Sequence, residues 1–175
     1  MRTLYTIGYE GTDIQRFIDT LVAVGVETVA DVRAVPISRK KGFSKHKLSA
    51  ALADRGIAYR HFPELGDPKP GRDAAKSGRM SEFESIYRSH LRSAAAIDGL
   101  IALRALAGES ATCLLCFERD PKSCHRSLIA RELHSCDMAS FDLFGDEPNR
   151  YVRNAHALPS GRARQSDPAP QPALR

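Results

Sequence analysis

The sequence predicts an α/β fold: one domain built on a mostly parallel, open sheet of four to five strands with helices on both faces. Three observations predict it. Short apolar strands alternate with amphipathic helical stretches along most of the chain. The strand segments are apolar at consecutive positions, as strands covered on both faces require. With 175 residues, 42% of them hydrophobic and 27% charged, the chain is long enough for one such core.

Taken in order, Leu4–Ile7 reads as a first strand, and the same segment lacks the apolar stretch of a signal peptide. Thr12 with Gln15 three residues on is a capping box for a helix whose inward face is Phe17, Ile18, Leu21 and Val22, and Gly25 ends it. Val26–Val32 is a second strand. Ser44 caps a helix carrying Leu48, Ala51 and Leu52, closed by Gly56, and Ile57–Phe62 is a third strand. From Pro63 to Arg79 runs a polar segment rich in proline and glycine, long enough to be a functional loop. Ser81 with Glu84 caps the next helix, which turns Phe83, Ile86, Tyr87 and Leu91 inward, and a further helical piece reaches about Ala107. Thr112–Phe117 is the fourth strand. Ser123 caps a helix with Leu128, Ile129 and Leu133 inward, and Phe141–Phe144 reads as a short fifth strand.

Composition divides the chain into an α/β domain over 1–147 and a basic, Pro/Ala-rich tail over 148–175, expected to be disordered from about Pro159. Four of the net charges of +5 belong to that tail. Within the domain, Arg33–Lys47 holds six Lys or Arg and no acid, a patch that is either solvated surface or a phosphate contact. No apolar run is long enough to span a membrane, so a soluble cytoplasmic protein is expected, without a membrane partner. The oligomeric state is not legible in the sequence.

All four cysteines, Cys113, Cys116, Cys124 and Cys136, fall in the last third, and reduced thiols are expected. Cys113 and Cys116 have the spacing of a zinc half-site. On a strand, however, residues three apart point to opposite faces, so they cannot readily share an ion. No glycine-rich phosphate loop or cofactor motif is present, and neither metal nor cofactor is expected.

In open α/β sheets ligands bind outside the carboxyl ends of the strands, so the residues there are the candidate site. After the first strand come Tyr9 and Glu10, on a turn ending at Gly11. The second strand carries Asp31 and Arg33, two residues apart and on one face, either an ion pair or a substrate-facing carboxylate; Ser38 and Arg39 follow. His61 ends the third strand. Cys116 and Glu118 end the fourth, with Ser123, Cys124, His125 and Arg126 beyond. A helix capped by Ser123 would place Cys124, His125 and Arg126 in its first turn, an anion site whose field favours a reactive Cys124 thiolate. Cys124 can then be a nucleophile, a wall of the site or, with His125, a metal ligand.

Thr6-Ile7-Gly8-Tyr9-Glu10-Gly11, Asp31-Val32-Arg33, Pro36, Ser38-Arg39, Gly42-Phe43-Ser44-Lys45, Tyr59, His61, Pro63, Leu65-Gly66, Leu115-Cys116-Phe117-Glu118 and Cys124-His125-Arg126 together resemble the family catalogued as domain of unknown function 488, over about Thr3 to Leu133. The resemblance implies that Tyr9, Glu10, Asp31, Arg33, Ser38, Arg39, Cys116, Glu118, Cys124, His125 and Arg126 share one site. It implies no reaction.

The functional expectation is an enzyme acting on a phosphate-bearing substrate, whether nucleotide, nucleic acid or phosphorylated metabolite, with hydrolysis favoured. Glu10, Asp31 and Glu118 are the candidate acids and bases, with Cys124 the candidate nucleophile. Arg33, Arg39 and Arg126 are the candidate phosphate ligands, with Tyr9, Ser38, His61, Cys116, Ser123 and His125 around them. The alternative is a non-catalytic nucleic-acid-binding or regulatory module using the Arg33–Lys47 patch and the tail.

Overall fold

In a computed structural model that describes residues 2–134 and 138–153, fourteen elements alternate around one sheet. They are β1 (Arg2–Gly8), α1 (Ile14–Ala23), β2 (Thr28–Asp31), α2 (Lys45–Ala53), β3 (Ala58–His61), a 3₁₀ turn (Pro63–Leu65), α3 (Lys69–Lys76), α4 (Met80–His90), α5 (Ala94–Glu109), β4 (Thr112–Cys116), a second 3₁₀ turn (Pro121–Ser123), α6 (His125–His134), β5 (Met138–Phe144) and α7 (Pro148–Arg153). The five strands lie in the order β3-β2-β4-β1-β5 and every pairing is parallel. The domain is single, α/β and open.

Alternation along the strands sorts the core into two layers. Leu4, Ala30, Val32 and Leu114 face α3, α4, α5 and α6, where Phe83, Tyr87, Leu103, Leu128, Ile129 and Leu133 pack on them. Tyr5, Ile7, Val29, Cys113 and Leu115 face the other side, against Phe17 and Leu21 of α1, Leu48 and Leu52 of α2 and Tyr151 of α7. Cys113 is therefore core on the α1/α2 side, separated by the sheet from the side chains beyond Cys116.

Several local expectations are corrected. Asp13, not Thr12, caps α1, its carboxylate accepting from the Arg16 N–H; Thr12 instead donates to the Gly145 carbonyl. The Pro63–Arg79 segment is not a loop throughout, because α3 starts inside it with Pro70 in its first turn, where a missing N–H costs nothing. Helix α4 begins at Met80, ahead of the Ser81/Glu84 box. Ser123 closes a 3₁₀ turn capped by Asp120, and Cys124 stands in extended backbone immediately before α6. Pro148–Arg153, grouped with the tail by composition, forms α7, and the Tyr151 hydroxyl accepts from the Phe144 N–H at 2.7 Å. Residues from Pro159 onward lie outside the described residues. Among the described residues, no helix is long and apolar enough to cross a membrane.

The topology decides where a ligand can enter. From β1 and β2 the chain leaves towards the α1/α2 face; from β4, which lies between them, it leaves towards the α6 face. The crevice at the carboxyl end of β4 is thus a topological switch point.

Candidate functional site

The crevice is built by a crossing. Beyond β4 the chain passes over the end of β1, and Tyr9 and Glu10 donate their N–H groups to the carbonyls of Cys116 and Phe117. Gly8 permits this approach, since a β-carbon there would collide with the Glu118 carbonyl. Arg126 fastens the crossing from beneath. Its guanidinium is fully buried and donates to the carbonyls of Glu118 and Arg119 and to the Thr6 hydroxyl, which in turn donates to Asp142. The expectation that Arg126 binds phosphate is therefore corrected: its donors are engaged inside the fold.

Asp31 is corrected in the same way. It is 0% exposed, and its oxygens accept from Arg33 Nε and Nη2 at 2.8 and 2.6 Å, from the Arg33 N–H, and from the Tyr59 hydroxyl at 2.6 Å. Burial and the Asp31 charge together push the Tyr59 hydroxyl well above its ordinary range. Burial works against the Arg33 charge, yet the Asp31 hydrogen bond and charge outweigh it and raise the guanidinium's pKa. Arg33 also reaches the Phe43 carbonyl and the Tyr9 hydroxyl. Asp31 is thus a positioning group that holds Arg33 at the crevice wall.

Two adjoining cavities make one cleft. One, of about 390 Å³, is lined by Tyr9, Arg33, Cys116 and Glu118 among others; the other, of about 300 Å³, reaches Glu10, Ser123 and Cys124. Asp67, Arg72, Lys76, Glu118 and His125 line both. Glu10 is exposed at the rim and accepts from the Arg119 N–H. Ser38, Arg39 and His61 are not among the lining residues. Ser38 ties the loop to Ser44, Arg39 is exposed on that loop, and His61 Nε2 contacts the Arg33 carbonyl at 2.9 Å.

At the floor, two thiols, an imidazole and a carboxyl converge. Cys116 Sγ is 3.1 Å from Glu118 Oε2 and 3.6 Å from His125 Nδ1; Cys124 Sγ is 4.0 Å from the same nitrogen. His125 Nε2 donates to the Val32 carbonyl at 2.8 Å, which leaves Nδ1 to face the sulfurs, and the ring leans on Tyr87. Burial, reinforced by the Cys124 charge, pushes the Glu118 carboxyl up to about 7. Burial and its hydrogen bond to Cys124 push the Cys116 thiol up. Burial would raise Cys124 as well, but its hydrogen bond with Cys116 and the charges of His125 and Arg126 hold it well below the ordinary thiol range. Burial opposes the His125 charge, but the facing Cys124 thiolate takes the imidazole up to about 9.

Asp67, Arg72 and Lys76 were not singled out from sequence. Asp67 is 5% exposed, its Oδ1 is buried without a hydrogen-bond partner, and burial pushes its carboxyl up to about 6. Asp67-Pro68-Lys69-Pro70 marks the start of a helix, with proline in its first turn, but the direction of Arg72 and Lys76 follows from the path of α3.

The chain belongs to the family described as domain of unknown function DUF488, whose model matches residues 13–133, beginning after β1. No curated protein and no solved structure matches the chain.

Proposed function

We propose that this family member is an enzyme that hydrolyses a phosphate-bearing substrate, whether nucleotide, nucleic acid or phosphorylated metabolite, in the cleft at the carboxyl end of β4. The observation carrying this reading is that both parts of the cleft are lined by the same two carboxyls, Asp67 and Glu118, and the same two cations, Arg72 and Lys76. Arg33 also lines the cleft, but Asp31 neutralises its charge and the Phe43 carbonyl and Tyr9 hydroxyl take further donors, so it shapes the wall rather than holding phosphate. In the proposed division of labour Arg72 and Lys76 hold the substrate's phosphate, Glu118 carries the proton at the reacting bond, and Asp67 supplies the second carboxyl. Glu10 guards the rim, and Tyr9 offers an aromatic wall.

A second reading, a non-catalytic nucleic-acid module, is favoured by the exposure of Arg39, Lys41, Lys45 and Lys47 on the loop and helix beside the cleft.

The test is a turnover panel of nucleotides, sugar phosphates and single- and double-stranded nucleic acids, read by phosphate release and product mass, for wild type and Glu118→Gln. The expected result is turnover of one class, reduced by about 10²–10⁴-fold in a normally folded Glu118→Gln. Binding without turnover, or turnover indifferent to Glu118→Gln, overturns the hydrolase reading.

A further inference from the structure

We infer that Cys116, Cys124 and His125 form a site for a divalent zinc ion, three-coordinate from the protein and open on its fourth side to the cleft. Zinc favours soft thiolates and imidazole in a tetrahedron. With Zn–S near 2.3 Å and Zn–N near 2.0–2.1 Å, such a tetrahedron has S···N edges of about 3.6 Å and an S···S edge of about 3.8 Å. The S···N separations here are 3.6 and 4.0 Å, and the three donor atoms lie within 4.8 Å of one another. Only small side-chain adjustments separate this arrangement from coordination.

Two further features suit an ion at this position. His125 donates its Nε2–H to the Val32 carbonyl, which fixes the tautomer that points Nδ1 at the sulfurs. This is the outer contact that metal-bound imidazoles make, and it sets both ring orientation and basicity. The three residues also arrive from two rigid elements, the end of β4 and the start of α6, clamped by Arg126. The carboxyl of Glu118, 3.1 Å from Cys116 Sγ, lines the cleft beside these residues. An ion there would place a Lewis acid next to the cationic wall of Arg72 and Lys76. The sequence offered two partial metal motifs, Cys113 with Cys116 and Cys124 with His125; Cys113 lies on the opposite face of the sheet, and the partner of Cys116 is Cys124, eight residues on.

This inference stands apart from the hydrolase reading, because occupancy is measured without any substrate. Tag-free full-length protein, purified without chelator, is analysed for metal by mass spectrometry. It is then stripped under reducing conditions and titrated with cobalt(II). One zinc per chain, or one cobalt per chain giving the sulfur-to-cobalt charge-transfer absorption and visible bands of a tetrahedral thiolate site, is the expected result. Zinc should bleach those bands and shield two thiols from Ellman's reagent. Cys124→Ser and His125→Gln should lose the charge-transfer absorption or shift it, whereas Cys113→Ser should keep it. Reduced wild-type protein that takes up no zinc and gives no charge-transfer absorption with cobalt overturns the inference, as does a signal that survives in folded Cys124→Ser unchanged. Wild-type titration settles the matter even where a variant does not fold.

Discussion

Replacing Asp31 by Asn separates a positioning role from a catalytic one. Asp31 is fully buried and its two oxygens accept four hydrogen bonds, three from Arg33 and one from Tyr59. The asparagine amide keeps one acceptor oxygen and loses the charge. Arg33, itself only 5% exposed, is left as a buried cation without its counter-ion. Breaking a buried pair from one side costs about 3–5 kcal/mol. In a domain of this size that is a fall in Tm of about 6–20 °C, a large share of the ~5–15 kcal/mol that holds such a domain together. Urea unfolding at neutral pH measures it directly. Tyr59→Phe, which removes one hydrogen bond to the charged carboxylate, should cost less, about 1.5–3 kcal/mol. Since the pair is shielded from solvent, the Asp31→Asn loss should persist at high salt. The double variant Asp31→Leu/Arg33→Met, which removes both charges, should recover much of the loss. A loss in Asp31→Asn below about 1 kcal/mol would refute this reasoning and return Asp31 to the list of substrate-facing acids.

Three other perturbations test the site's scaffold. Asp67 carries a raised carboxyl, about 6 in the fold against 3.8 in the unfolded chain, so the folded state binds its proton more tightly and this group's contribution to stability falls as pH rises from 4 to 7. Asp67→Asn should therefore gain up to about 3 kcal/mol over wild type at pH 8, with the gain vanishing near pH 4 in urea titrations; a pH-independent difference would contradict the burial argument. Gly8→Ala forces a β-carbon against the Glu118 carbonyl and should cost about 1–3 kcal/mol, with turnover lost alongside as Glu118 shifts; unaltered thermal unfolding would contradict the crossing described above. Tyr151→Ala removes the aromatic anchor of α7 and should cost about 3–5 kcal/mol by chemical unfolding; no effect would restore the domain boundary at 147 suggested by composition.

The pattern of apolar residues made the central strands and the large helices legible, because β1, β2 and β4 are buried along nearly their whole length and carry short apolar stretches broken mainly by threonine. Strand β5 is weaker in sequence because it is an edge strand whose residues alternate between core and solvent. Helix α3 was hidden by Pro70 and Gly71, residues that usually break helices. Here the proline falls in the first turn, and Gly71 lets the Asp67 side chain lie against the helix. Strand ends brought Glu118, Cys124, His125, Arg33 and Tyr9 to notice as neighbours, and these do meet at the cleft. Direction was the illegible part. Whether Asp31 or Arg126 turns outwards depends on partners such as Tyr59 and the Glu118 and Arg119 carbonyls, which are remote in sequence. Arg72 and Lys76 reach the cleft through the path of α3, which local sequence does not reveal.

The most direct test of the cleft as a phosphate site is equilibrium binding of labelled nucleotides and of single- and double-stranded DNA and RNA at two salt concentrations. It compares wild type, Arg72→Ala/Lys76→Ala, Arg39→Ala/Lys45→Ala and a chain ending at Arg153. Binding is expected to survive loss of the tail and of the Arg39/Lys45 pair, and to fall at least tenfold without Arg72 and Lys76. Binding that is indifferent to Arg72 and Lys76 but lost with the exposed loop or the tail would contradict it.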